Sequence, residues 1–174
     1  MGETQELDLP LGFRFHPTEF ELYDYYLIPK FKGEPLDTNL IMSLDVYRYD
    51  PWQLPLDQLK YARENEGHFF TQSIEQGTSA RATPSGNWII SKENIPICRE
   101  NEVIGFKNKF LFSNGNEYPI DGDQIAYWKM VEYRCNPAVI ITSNKEMENL
   151  VICKVRHKTR VEEDPEEEDD EFEY

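Results

Sequence analysis

Two lysines, Lys107 and Lys109, stand two residues apart in the run GFKNKFLF, so on a β-strand they project from one face. There they suit phosphate oxygens, or form a solvated edge that discourages pairing with another strand. A denser basic cluster, KVRHKTR at 154–160, carries cations at alternate positions opposite Val151, Cys153 and Val155. It reads as a nuclear-localisation signal or as the wet face of a last strand.

Other chemistries find little support. The three cysteines (Cys98, Cys135, Cys153) and three histidines (His16, His68, His157) are scattered. A structural zinc site needs paired ligands at short spacing, so no metal is expected. Asp121, Asp123 and Glu132 mimic positions 1, 3 and 12 of a calcium loop. Ile125 and Ala126, however, stand where an oxygen ligand and a glycine are required. No Gly-x-Ser-x-Gly, P-loop or Gly-x-Gly-x-x-Gly occurs. His68 beside Phe69 and Phe70 reads as a packed strand histidine, so neither an enzyme nor a cofactor is expected.

Charge is unevenly distributed. The 174 residues carry a formal net charge of −15, from 33 acidic and 18 basic residues. Residues 162–174, EEDPEEEDDEFEY, hold 10 of the acidic residues and no basic one, which leaves 23 against 18 elsewhere, a net of −5. A strongly basic composition, the usual footprint of nucleic-acid binding, is therefore absent. The acidic run cannot bury enough apolar surface to order itself, so disorder is expected over 161–174. Its readings are a solubilising end, an acidic activation segment containing Phe172 and Tyr174, or a strap that folds over the basic cluster and competes with any polyanion bound there.

The elements that must position these residues are legible in part. Residues 1–8 form a polar lead, without the basic and apolar regions of a secretory signal, and no apolar run is long enough for a membrane span. Scattered cysteines and absent Asn-x-Ser/Thr sequons suit a reducing compartment. Thr18 with Glu21 predicts a capped helix, with Phe20, Tyr23, Tyr26 and Leu27 on one face and Pro29 ending it. A second short helix is expected after Asp37, using Leu40, Ile41 and Leu44. Strands are expected at His68–Thr71, Trp88–Ile90, Gly105–Phe112, Tyr127–Tyr133 and Leu150–Val155, with turns at Asn114-Gly115 and Asp121-Gly122. Tight turns between strands imply an α+β, mainly β fold: a twisted antiparallel sheet flanked by a few short helices at the N-terminal end.

The segments LPLGFRFHPTEFELYDYYL (9–27), LDVYRYDPWQLP (44–55), GHFFTQ (67–72), RATPSGNW (81–88), GFKNKFLF (105–112), YWKMVEYR (127–134) and VICKVRHK (151–158) occur in an order that resembles the plant NAC-domain family. The resemblance spans roughly 9–158, within a domain taken as 9–160. It implies a nuclear regulator of transcription that binds double-stranded DNA as a homodimer, or as a heterodimer with other NAC proteins, and inserts a sheet edge into the major groove.

By that resemblance, Leu9, Pro10, Arg14 and Glu21 belong to the dimer interface, where Arg14 and Glu21 would pair twice about a two-fold axis. Glu21 also completes the cap of Thr18. Arg81, Trp88, Lys92, Lys107 and Lys109 are the matching DNA-binding set, although Trp88 equally suits core packing. The chain departs from the family pattern after Trp88, where Ile89, Ile90, Ser91, Lys92 and Glu93 stand in place of Lys-Ala-Thr-Gly followed by basic residues. It departs again at Gln72 and Thr78, and at the acidic loop NGNEYPIDGDQ. Each lost phosphate contact removes about one unit from the salt slope of DNA binding. A second function is thus open: an interaction module that keeps the dimer face, has lost DNA binding and modulates other NAC proteins.

Overall fold

The structure, a computed structural model, describes residues 9, 11–36, 40–72, 80–114 and 126–159. The polar lead, Pro10, Asp37, the acidic run and the Asp121-Gly122 turn lie outside these residues, as does Gly115 of the Asn114-Gly115 turn.

Among the described residues seven strands form one sheet in the order β1-β2-β7-β6-β5-β4-β3. They are β1 (Met42–Ser43), β2 (Glu66–Gln72), β3 (Ala80–Ala82), β4 (Asn87–Arg99), β5 (Glu102–Ser113), β6 (Ala126–Cys135) and β7 (Leu150–Thr159). All five predicted strands are present, most of them longer than expected. Pairing is antiparallel throughout except between β1 and β2, which run parallel.

The sheet is buried on both faces because neighbouring strand residues point opposite ways. Phe70, Leu150, Ile152, Tyr133 and Cys135 pack on one side with Phe15, Leu22, Tyr23, Leu27 and Phe31 of the N-terminal segment and helix. Phe69, Val151, Cys153, Val155, Met130, Trp88, Phe110 and Phe112 face the other way, under Val46, Tyr47 and Leu54. Each such large side chain removed from water contributes about 1.5–3 kcal/mol.

Thr18 caps the helix with Glu21 in a reciprocal box. Pro29 does not end it. The α-helical turn α1 (Glu19–Glu21) passes into a π-helical stretch, Leu22–Leu27, and then into α2 (Ile28–Phe31). Ile28 N–H reaches back five residues to the Tyr23 carbonyl, which widens the ladder where Pro29 has no N–H to offer. The widened turn also shifts the helix phase. Tyr23 and Leu27 are buried, together with Leu22 and Phe31, whereas Phe20 is exposed.

The second predicted helix is absent among the described residues. Met42–Ser43 is a strand, pinned beside β2 by the register Met42↔Phe69 and Ser43↔Phe70. After it come three short 3₁₀ turns, Val46–Arg48, Pro51–Gln53 and Leu56–Gln58. Pairing with β2 and burial of Ile41 override a helical spacing only a few residues long.

Candidate nucleic-acid interface

Strand β3 covers only the first residues of β4, pairing Ala80–Ala82 with Ile89, Trp88 and Asn87. Beyond Ile89, β4 has β5 as its one strand neighbour among the described residues. This outer stretch is irregular, with register shifts between Ile90 and Lys92 and between Lys92 and Ile95. Asn94 has φ 51°, a left-handed conformation that asparagine tolerates better than most residues. Two side chains hold it. Asn94 N–H donates to Asn108 Oδ1 at 2.8 Å, and Arg134 Nη2 donates to Asn94 Oδ1 at 2.6 Å. Ser91, Lys92, Glu93 and Asn94 are consequently all exposed on the bulged edge. Lys92 lies directly opposite Lys109 on β5, which is half-buried.

The other expected DNA-binding residues lie beneath the surface. Trp88 is 1% exposed and meets Phe112 edge-on at 5.3 Å. Arg81 is 4% exposed, sits over the Phe110 ring and pairs with Glu132 at 3.8 Å. Glu132 also accepts from Tyr47 Oη and, at 3.4 Å, from Asn108 Nδ2. Burial, then the neighbouring Cys153 and Glu132, raise the Tyr47 phenol well above its ordinary range, so it remains a donor to Glu132. Lys107 is buried against Glu19 in the first turn of the helix and ties α1 to β5. Lys107 and Lys109 therefore differ sharply in environment. The sequence places them alike; the helix covers only Lys107.

A larger basic group is assembled by pairing. Lys129 of β6 lies opposite Arg156 of β7, Tyr127 opposite Lys158, and Val131 opposite Lys154. Burial, then repulsion by Lys129, Arg156 and Lys154, hold the Lys158 ammonium down to about 8. The β7 cations were visible in sequence as alternate residues. Their union with Lys129 was not, because register between distant segments is not written locally.

The N-terminal segment is fixed to the body by Tyr61. Leu9 N–H donates to Tyr61 Oη at 3.1 Å, Phe13 meets its ring edge-on at 5.8 Å, and Phe15 N–H donates to its carbonyl at 2.7 Å. Gly12, at φ 87°, turns the chain between these anchors. Arg14 and Glu21 are exposed, beside exposed Leu11, Phe13, Phe20 and Tyr25. Leu9 is half-buried, and Pro10 lies outside the described residues.

The chain matches the family described as No apical meristem (NAM) protein over residues 10–135. It belongs to that family. This NAM-family chain is 35% identical over 168 residues to NAC transcription factor 32 of Arabidopsis thaliana, covering 92% of this chain and 64% of the relative. It is 33% identical over 159 residues to NAC domain-containing protein 1 of Solanum lycopersicum, covering 87% and 55%. With NAC domain-containing protein 67 of Oryza sativa subsp. japonica it shares 33% over 162 residues, covering 88% and 57%. The chain thus spans about half to two-thirds of the length of these relatives. The family match includes the β4–β5 edge and Lys129 and stops short of the β7 cations. Among the described residues no helix is long and apolar enough to cross a membrane, and no three His, Cys, Asp or Glu side chains gather as metal ligands.

Proposed function

We propose that this NAM-family chain is a nuclear, sequence-specific DNA-binding regulator of transcription that acts as a dimer. The observation that carries the reading is the cross-strand pair Lys92–Lys109 on the bulged, outward edge of β4. A β-ribbon fits the major groove, and an irregular edge held by Asn108 and Arg134 presents its side chains in a defined direction. In this reading Lys92 and Lys109 meet phosphates directly. Arg81, Trp88 and Lys107 serve the site from beneath, holding β3, β4 and β5 in register. The dimer face is formed by Leu9, Pro10, Arg14 and Glu21 with the exposed apolar side chains beside them. An isologous contact would make each Arg14–Glu21 pair twice, at about 1 kcal/mol or less per exposed pair, so apolar burial must carry most of the association.

The test is fluorescence anisotropy of a duplex carrying a family-type site against a scrambled duplex, at low and physiological salt. Site preference with a steep salt dependence is expected. Changing Lys92 and Lys109 together to Ala should reduce the salt slope by about two. A folded dimer with no preference for the site sinks the reading.

A second reading is favoured by one observation: Arg81 and Lys107 are buried and joined to Glu132 and Glu19. An interaction module that pairs with other NAC proteins without binding DNA would carry such internal pairs at no loss. Sedimentation of mixtures with a DNA-binding relative, followed by titration of that relative's duplex, separates the two. Heterodimers that release the duplex support the module.

A further inference from the structure

Directly opposed residues in an antiparallel pair share a face. The registers Lys109↔Val131, Leu111↔Lys129, Lys129↔Arg156, Val131↔Lys154 and Tyr127↔Lys158 therefore put Lys109, Lys129, Lys154, Arg156 and Lys158 on one face of three adjacent strands. Glu66 joins them from β2. Glu66 lies opposite Arg156, is buried, and stands 3.7 Å from Lys154 Nζ. Like charges directly across a strand pair are unfavourable, and Lys129 against Arg156 is such a pair. A face built this way is complementary to a polyanion.

The chain carries a polyanion next to it. Strand β7 ends at Thr159, one residue beyond Lys158, and the acidic run begins at Glu162. Ten carboxylates fall within 162–173. Extended at about 3.5 Å per residue, such a run spans roughly 40 Å, well over the ~10 Å between the outer two of three adjacent strands. A short tether also sets an effective concentration in the millimolar range. We propose that the cationic face of β5, β6 and β7 is the docking surface for the chain's own acidic run, residues 162–173, which occupies it in competition with DNA phosphates. The competition rests on the DNA-binding reading given above; the docking does not.

Zero-length carbodiimide coupling of carboxylates to amines in the full chain, mapped by mass spectrometry, tests the docking. Links from 162–173 are expected at Lys129 and Lys154, and should fade at about 500 mM salt. Links spread instead over exposed Lys60, Lys92 and Lys145 would overturn the proposal. Lys129→Gln with Arg156→Gln, checked for native circular dichroism, should lower coupling at Lys154 as well. A 174-residue variant with all ten carboxylates of the run changed to amides should bind the duplex about tenfold tighter at ~50 mM salt, and equally at ~500 mM. An unchanged affinity, where the parent binds, overturns the competition. If neither chain binds DNA, the DNA-binding reading has failed, and the coupling map still decides the docking.

Discussion

Arg81 Nη2 stands 3.8 Å from Glu132 Oε1, with both side chains almost wholly removed from water. The guanidinium crosses the Phe110 ring of β5 to reach β6, so the short strand β3 is tied to the middle of the sheet. Desolvating two charges costs several kcal/mol, which further hydrogen bonds to the charged groups help to offset. Tyr47 and Asn108 supply the further donors to Glu132.

Removing one member of that pair should therefore cost far more than removing both. Arg81→Ala is expected to destabilise the fold by about 3–5 kcal/mol, because Glu132 is left buried without its guanidinium partner. Arg81→Met with Glu132→Leu should be markedly less harmful. Urea unfolding of Arg81→Met, Glu132→Leu and the double variant measures the coupling. An Arg81→Ala midpoint equal to the parent's would show that the pair carries no stability. Loss of DNA binding in Arg81→Ala has meaning only beside that measurement.

Asp50 joins two segments that are distant in sequence. It accepts from Thr83 Oγ1 at 2.7 Å, Ser85 N–H at 3.0 Å and Ser85 Oγ at 2.7 Å, and so holds the turn before β4. Burial works to raise its pKa, but the hydrogen bonds from Ser85 and Thr83 outweigh it and leave the carboxyl below its ordinary value. A carboxylate depressed in the folded state contributes stability that is present above its unfolded pKa and lost as pH falls through the folded one. Asp50→Ala should cost about 1–3 kcal/mol at pH 7. Thermal melts from pH 7 to pH 3 should show the difference from the parent shrinking at the acid end.

Gly105 lies where the helix presses on the sheet. A Cβ there would collide with the Arg134 carbonyl and with the ring and hydroxyl of Tyr23. That hydroxyl donates to the Arg134 carbonyl at 2.8 Å, so it cannot withdraw without breaking a partly buried bond. Gly105→Ala is expected to destabilise by about 2 kcal/mol or more, chiefly through faster unfolding. Relief by Tyr23→Phe in the same chain would indicate that the hydroxyl contact, rather than the backbone, is limiting. A Gly105→Ala chain as stable as the parent would contradict the packing described here.

His68 is buried, with the Phe15 ring edge-on at 5.0 Å. Burial, then the charges of Lys154 and His16, lower its pKa to about 3. The unfolded chain binds this proton near pH 6.5 and the folded chain does not. Stability is therefore full above pH 6.5 and declines as pH falls toward 3. His68→Phe should flatten the decline between pH 6.5 and pH 4.5, above the range of most carboxylates. Denaturant midpoints across that window decide it, and an identical slope in both chains would contradict the burial of a neutral imidazole.

Much of the architecture is present in short stretches of sequence. Phe69 and Phe70 face opposite ways, as do Val151 and Ile152, because a strand alternates; the runs predict strands wherever β-branched and aromatic residues accumulate. Thr18 and Glu21 cap a helix through atoms three residues apart. The motif order identifies the family. All of these depend on neighbours within a few residues, which is why they are readable without the fold.

What lay beyond the sequence depends on partners far along the chain. Pro29 ends a helix by local rules, yet the π-turn at Leu22–Leu27 carries the helix through to Phe31, with Leu22, Tyr23 and Leu27 buried against the sheet. The stretch before Leu44 becomes a strand because β2 stands ready to pair with it. Lys107 and Lys109 look equivalent as residues; Glu19, 88 positions earlier, closes on the first. Lys129 and Arg156 share a face only through the β6–β7 register. The sequence by itself determined the family and most of the secondary structure, since those follow from local periodicity and capping. The tertiary structure alone decided which cations are buried, which reach solvent and which stand together, because burial and register are set by contacts between segments that the chain order keeps apart.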